Sequence, residues 1–261
     1  MFQNLHLLLE LVKRDFSMRF TGSALGVAWA VLQPLSLVLL YWFVFTVIFP
    51  ASGSAPRVSG RDLAGGTGSY VLFLISGLLP WIGFNEGIIR GTTSIVDNAA
   101  LVRKLTFRSE LLVAVPSLSA VIFELIGLGL FLIWVGLQGG SLWNLCLLPF
   151  ALALQLTLQI GVAWLLAVLF VFFRDVVQVL GFLLSILFYL SPILYAVPPR
   201  WEAFFGWNPL VPLLGLFRSA VLGSPLPSPG SFVLLLAVAV AAFAGGLTVF
   251  RRAQPSLADL I

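Results

Sequence analysis

The sequence predicts an all-α integral membrane protein with six transmembrane helices, an N-terminal amphipathic interface helix, and short re-entrant or interfacial gate helices between spans five and six. Three observations carry that prediction. Hydrophobic residues are 60% of the chain and charged residues 9%, with a mean hydropathy of +1.09, far from the soluble average of about 25% charged. Several apolar runs exceed the roughly 20 residues that cross a hydrocarbon layer. The cations sit at the ends of those runs, so a net charge of +4 reads as membrane topology and not as a nucleic-acid surface.

Residues 4–20 place Leu5, Leu8, Leu9, Val12, Phe16 and Phe20 at helical spacing, opposite Glu10, Lys13, Arg14 and Arg19. This pattern is an amphipathic helix lying on the membrane surface. Its charges follow the first leucines and no cleavage site follows a short apolar region, so it does not read as a secretory leader. Apolar spans then run over about 25–49, 69–95, 111–136, 143–172, 176–196 and 231–250. The breaks are a Gly-rich segment at 51–68, the basic segment NAALVRKLTFRSELL at 98–112, GLQGGS, FRDVV, and a Pro-rich stretch from 198 to 230. With the N-terminus in the cytoplasm, that side receives Lys13, Arg14, Arg19, Arg103, Lys104, Arg108, Arg174, Arg251 and Arg252. The other side receives Arg57, Arg61, Arg200 and Arg218. The positive-inside bias therefore places both termini in the cytoplasm. No internal repeat interrupts 1–261, which reads as a single transmembrane domain.

Within the basic cytoplasmic segment, Leu101 and Leu105 stack one turn apart while Arg103, Lys104 and Arg108 point elsewhere. One or two amphipathic turns of this kind suit the docking of a cytoplasmic partner; the competing reading is a basic stop-transfer flank. On the outer side, residues 198–222 are too apolar for a solvated loop and too broken by proline for a span. Asn208 is placed to cap a helix that begins at Pro209 and ends at Gly223, with Trp201 and Trp207 at the membrane edge. That helix is expected to dip into the outer leaflet or fold over a pore mouth, against the plainer reading of interfacial helices.

Two spans carry polar stripes. In the first, Gly22, Gly26, Trp29, Gln33, Ser36 and Leu40 share a face; in the fifth, Gln178, Phe182, Ser185, Tyr189 and Pro192 do so. Polar groups at this depth favour protein or water over lipid, which leaves helix packing or a polar, aromatic-edged conduit. Intramembrane charges are few. Glu86 and Arg90, one turn apart in the second span, are expected to neutralise each other, and Glu124 stands alone in the third. A lone acid without a partner acid or histidine gives little support to a proton relay. His6 is the one histidine and Cys146 the one cysteine, so neither a catalytic constellation nor a metal cluster is legible. No GxxxxGK[ST] occurs, and neither Lys13 nor Lys104 follows a glycine. If a nucleotide powers transport, another chain binds it.

Together RDFSMRFTGSALGVAWAVLQPL (14–35), LISGLLPWIGFNEGI (74–88), NAALVRKLTF (98–107), FFRDV (172–176), YLSPILY (189–195) and WNPLVPLLGLFRSAVLG (207–223) resemble the permease subunit of polysaccharide-exporting ATP-binding-cassette transporters. These are type-2 exporters that move O-antigen, capsule or teichoic acid chains. The resemblance runs in order over nearly the whole chain, apart from 51–68. It implies a homodimer of permeases in the bacterial cytoplasmic membrane, bound to two cytoplasmic ATPase subunits that carry ATP and Mg, with no cofactor on this chain and a lipid-linked glycan as substrate. It also implies that residues 98–108 are the coupling helix, 198–222 the outer gate, and 4–20 an interface helix beside the substrate's entry, with the first and fifth spans facing the channel. The alternatives are an exporter of a lipid or small hydrophobic molecule on the same architecture, a proton-coupled flippase, and a membrane-embedded glycan-modifying enzyme.

Overall fold

The computed structural model describes residues 2–48, 67–102, 109–137 and 143–260. The described residues are almost entirely helical and contain no strand. α1 (Phe2–Met18) precedes α2 (Trp29–Phe43), which a 3-10 turn (Gly26–Ala28) leads into and a π turn (Val44–Ile48) extends. α3 (Thr67–Asp97), α4 (Ala99–Val102), α5 (Ser109–Leu137) and α6 (Leu148–Phe172) follow. α7 (Val176–Leu190), α8 (Glu202–Phe205), α9 (Leu210–Leu222) and α10 (Pro229–Leu260) complete the order.

Five stretches are long and apolar enough to cross a membrane: Gly26–Ile48, Tyr70–Asp97, Ser109–Leu137, Asn144–Phe172 and Pro229–Pro255. They match five of the six expected spans. The span expected over 176–196 differs, because its helix stops at Leu190 after 15 residues, a rise of about 22 Å against about 30 Å of hydrocarbon. The stop is local chemistry. Ser191 precedes Pro192 and is driven out of the α region, to φ −102° and ψ 140°.

α3, α5 and α6 form the centre, with α10 against α6 and α9 against α3 and α6. The core is built from α3 residues such as Val71, Leu74, Ile75 and Ile88, with Leu128 and Phe131 of α5 and Leu213 and Phe217 of α9. Lipid tails are as apolar as leucine, so burial alone does not drive such contacts, and close fit has to. At the α6–α10 crossing a Cβ on Gly161 would overlap the backbone of Ala242 and Phe243, and one on Gly246 would overlap the Gly161 carbonyl. Two glycines therefore bring these backbones together.

α1 lies against α5 and buries Val12, with Phe20 buried just beyond its end. Leu9 and Met18 remain exposed. One expectation fails here. Arg19 belongs on the polar face by helical spacing, yet after α1 ends at Met18 the chain turns and directs its guanidinium inward, 4.4 Å from the Phe123 ring centroid.

Candidate functional site

Interruption of α7 frees backbone carbonyls, and four of them are taken up by side chains from other parts of the chain. Asn208 Nδ2 donates to Leu190 O at 3.1 Å, and Arg218 Nη2 to Pro192 O at 2.6 Å and Ile193 O at 3.4 Å. The Tyr70 hydroxyl donates to Leu194 O at 2.8 Å. Asn208 also caps α9, accepting from Leu210 N at 2.9 Å, while Pro209 is the residue from which α9 starts and Gly223 ends it at φ +67°. At 13 residues, α9 is too short to cross.

Arg218 is the buried member of this set, 8% exposed, with its guanidinium 3.7 Å from the Phe73 ring centroid. A Cβ on Gly77 would stand 2.8 Å from Nη2, so glycine makes its room. No acid pairs with it among the described residues. Its charge is met by two carbonyl dipoles and an aromatic face. Trp201 and Trp207, by contrast, are 50% and 80% exposed. The residues expected at the outer gate therefore divide into an inner latch of Asn208, Pro209 and Arg218 and an exposed aromatic edge. Tyr70 is part of the latch and was missed, because an isolated tyrosine near the start of a span is normal in an aromatic belt.

α7 buries Leu180 and Leu184, half-buries Val176, Val177, Gly181, Leu187 and Phe188, and exposes the rest of its circumference. At 100° per residue that exposed arc splits in two. Gln178, Phe182, Ser185 and Tyr189 form one stripe, and Val179, Leu183, Ile186 and Leu190 form an aliphatic one beside it. Phe182 and Tyr189 are each 67% exposed, which a packing stripe within this chain would not be. Ser185 and Tyr189 open into a groove of about 400 Å³ between α7 and α3, whose other wall includes Trp81, Asn85 and Ile89. Asn85 escaped notice in the sequence because its neighbour Glu86 draws attention as the charged residue. On α2, Trp29, Gln33 and Ser36 are likewise exposed, and Ser36 Oγ bonds its own helix at Gln33 O, 2.8 Å. α2 packs on α5 and α3, and α7 on α3 and α6.

Glu86 and Arg90 pair at 3.4 Å as expected, within a larger network. Arg90 also reaches Asp15 at 2.7 Å, and Arg19 pairs with Glu86. Two residues from the α1 region and two from α3 therefore balance two cations with two acids. Burial, then the charge of Arg90, lower the Arg19 pKa to about 10, with Asp15 opposing. Arg19 stays charged at neutral pH, and α1 is tied to α3.

Glu124 does not stand alone in the fold. It is 3% exposed and accepts from Gln155 Nε2 of α6 at 2.5 Å. One turn on, Gln159 Nε2 donates to Gly83 O of α3 at 3.4 Å. The partner was invisible in sequence because the bond joins two helices.

Residues 103–108, which include Arg103, Lys104, Leu105, Phe107 and Arg108, lie outside the described residues. What is described is the lead-in: α3 ends at Asp97, Asn98 caps the turn through Leu101 N→Asn98 O at 2.8 Å, and α4 carries Leu101. Leu101 is half-buried against a second core cluster of Ile95, Leu112, Val113 and Phe250.

A bundle of apolar spans, one interrupted helix with its carbonyls latched by side chains, and polar stripes on exposed faces define a multi-pass helical membrane subunit. The chain belongs to the ABC-2 type transporter family, which it matches over residues 6–222. It is a transporter membrane subunit and not an enzyme, and the family works with a partner ATPase. Among similar proteins, the O-antigen export system permease protein RfbA of Myxococcus xanthus is 26% identical over 100% of this chain and 97% of its own length. The protein of the same name from Klebsiella pneumoniae is 25% identical over 98% and 95%. The polysialic acid transport protein KpsM of Escherichia coli is 25% identical over 94% and 92%.

Proposed function

We propose that this chain is the channel-forming subunit of an ATP-driven exporter that moves a lipid-linked, O-antigen-like polysaccharide across the bacterial cytoplasmic membrane. It acts as a homodimer with two cytoplasmic ATPase subunits that bind ATP and Mg, and both its termini are cytoplasmic. The observation that carries the reading is the exposed α7 stripe opening into the Trp81–Asn85 groove. Aromatic faces there offer apolar contact to sugar rings, while amide and hydroxyl groups offer hydrogen bonds to sugar hydroxyls. A lipid or small hydrophobic cargo would need neither Gln178 nor Asn85.

In this mechanism the lipid-linked glycan enters from the cytoplasmic leaflet beside the interface helix, which the Asp15–Arg19–Glu86–Arg90 network holds against α3. Closure of the ATPase subunits on ATP displaces the coupling helices at 98–108. The polymer then advances between the α2 and α7 stripes and leaves past the outer gate at 198–222. The test is purification with the cognate ATPase and measurement of ATP-dependent translocation of lipid-linked glycan in vesicles. Glycan transfer that tracks ATP hydrolysis supports the reading, and hydrolysis stimulated by a lipid without a glycan sinks it.

Cysteine substitution provides a second expectation. In a Cys146-free background, cysteines at Gln33, Gln178, Ser185 and Tyr189 react with a water-soluble thiol reagent, whereas cysteines at Val179 and Leu183 are at least tenfold slower, since reagents of that kind do not partition into hydrocarbon (~tenfold being one unit of 1.4 kcal/mol). Equal protection of both stripes, with and without nucleotide, counts against a conduit on these faces.

A further inference from the structure

Deep in the bundle, three oxygens stand where hydrogen-bond donors do not reach. Glu124 Oε1, Gln155 Oε1 and Gln159 Oε1 are all buried and without a partner. The side chains are 3%, 0% and 0% exposed. They form one cluster around α3: a Cβ on Gly83 would overlap the Glu124 carboxyl, and one on Gly87 would overlap the Gln159 amide. The Gln155 amide reaches Glu124 Oε2 at 2.5 Å, and the Gln159 amide reaches the Gly83 carbonyl at 3.4 Å. Glycines at both α3 positions let polar groups of α5 and α6 press against its backbone.

An ionised carboxylate here would be a bare charge in hydrocarbon with one neutral donor, and burying a charge unpaired is among the costliest acts in a fold. No cation pairs with it among the described residues, Arg218 of α9 being engaged with the Pro192 and Ile193 carbonyls. Glu86 and Arg90 of α3 are engaged with Arg19 and Asp15, and Glu110 at the start of α5 pairs with Arg251 of α10. α6 and α2 contain no charged residue. Turning the Gln155 amide over only moves the mismatch, setting its oxygen against Glu124 Oε2. A proton on Glu124 Oε1 would supply a donor for one of the two glutamine amide oxygens.

We propose that the Glu124–Gln155–Gln159 cluster is a resident proton-binding site, in which Glu124 is held as the neutral acid and donates from Oε1 to a glutamine amide oxygen, clamping α3, α5 and α6. The proton comes from water when the helices assemble. Glu86, Asp15 and Glu110 are each engaged in an ion pair, so the proton is a fixed part of the bundle and not a transported ion. The site goes beyond the polysaccharide reading, and its test needs no glycan.

The experiment is infrared spectroscopy of the full chain with its ATPase in lipid nanodiscs, using glutamate labelled with 13C at the side-chain carboxyl. The expected result is an isotope-shifted carbonyl band of a protonated carboxyl group that persists through the neutral pH range. E124Q should remove that band yet keep the melting temperature within a few degrees and ATP hydrolysis within about twofold of the parent, because a glutamine amide N–H replaces the acid O–H in the same shape. E124A leaves the Gln155 amide without its acceptor and melts earlier. Absence of the labelled acid band in the parent complex, a measurement that needs no variant, overturns the proposal. So does a melting temperature that rises with sodium or potassium over choline and loses that response in E124Q, which would make the cluster a cation site.

Discussion

Replacing Arg218 by leucine is expected to abolish export and to make vesicles carrying the complex leak ions. Removing the guanidinium strips Pro192 O of a 2.6 Å bond and Ile193 O of a 3.4 Å bond, and an acceptor left unsatisfied in a buried setting costs about 1–3 kcal/mol. Loss of the Phe73 face adds up to about 2 kcal/mol for a desolvated cation–π contact. Against this stands relief from burying a charge, which can favour an apolar replacement when every polar partner is removed together. Here the carbonyls remain, because they belong to the backbone that α7 leaves behind, so the loss wins. Arg218→Lys is expected to fall between, since an ammonium is a compact point charge and not the flat fork that lies on Phe73 while serving two carbonyls. Thermal melting of the complex and ion flux in proteoliposomes provide the readings. Normal export and tight vesicles from R218L would remove the latch from the gate.

Changing Leu105 or Phe107 to aspartate is expected to uncouple ATP hydrolysis from export more severely than neutralising Arg103. In the proposed coupling helix, apolar contacts dominate: burying a leucine or phenylalanine yields about 1.5–3 kcal/mol, whereas an exposed ion pair gives about 0–1. An aspartate in the cleft adds a desolvation cost to the lost burial. Leu101 is less exposed to this test, because it is half-buried against Ile95 and Leu112 within the chain, so its loss should lower stability as well as coupling. Export and co-purification of the ATPase, compared at equal insertion levels, decide the matter. If both aspartate variants export normally with their partner bound, the basic segment is a topological anchor.

The two predictions draw on different amounts of sequence signal. α9 could be bounded from Asn208, Pro209 and Gly223 alone, since caps and proline act within a few residues. The short α7 was read too long, although SPILY held the reason: apolar content continues past Leu190 while Pro192 ends the helix, and hydropathy registers the first but not the second. Arg19 was misplaced for a related cause. Helical spacing assigns it a face only while the helix lasts, and α1 ends at Met18. In α7 the polar stripe was readable as a period, yet its exposure, and the groove it shares with Asn85, were not.

From sequence alone came the membrane class, the five long spans and the N-terminal helix, because these follow from composition, run length and residues that act on their own neighbours. Tertiary structure alone decided the partners of the polar groups. Arg90 and Asp15 are 75 positions apart, Glu124 and Gln155 31, Tyr70 and Leu194 124. Which of them meet depends on how deep each helix sits and how near its backbone comes to the next. Gly77, Gly83, Gly87 and Gly161 set those distances by lacking a side chain. In hydrocarbon, where every buried polar group must find its partner inside the protein, that spacing is what turns isolated charges and amides into a latch, a tether and a clamp.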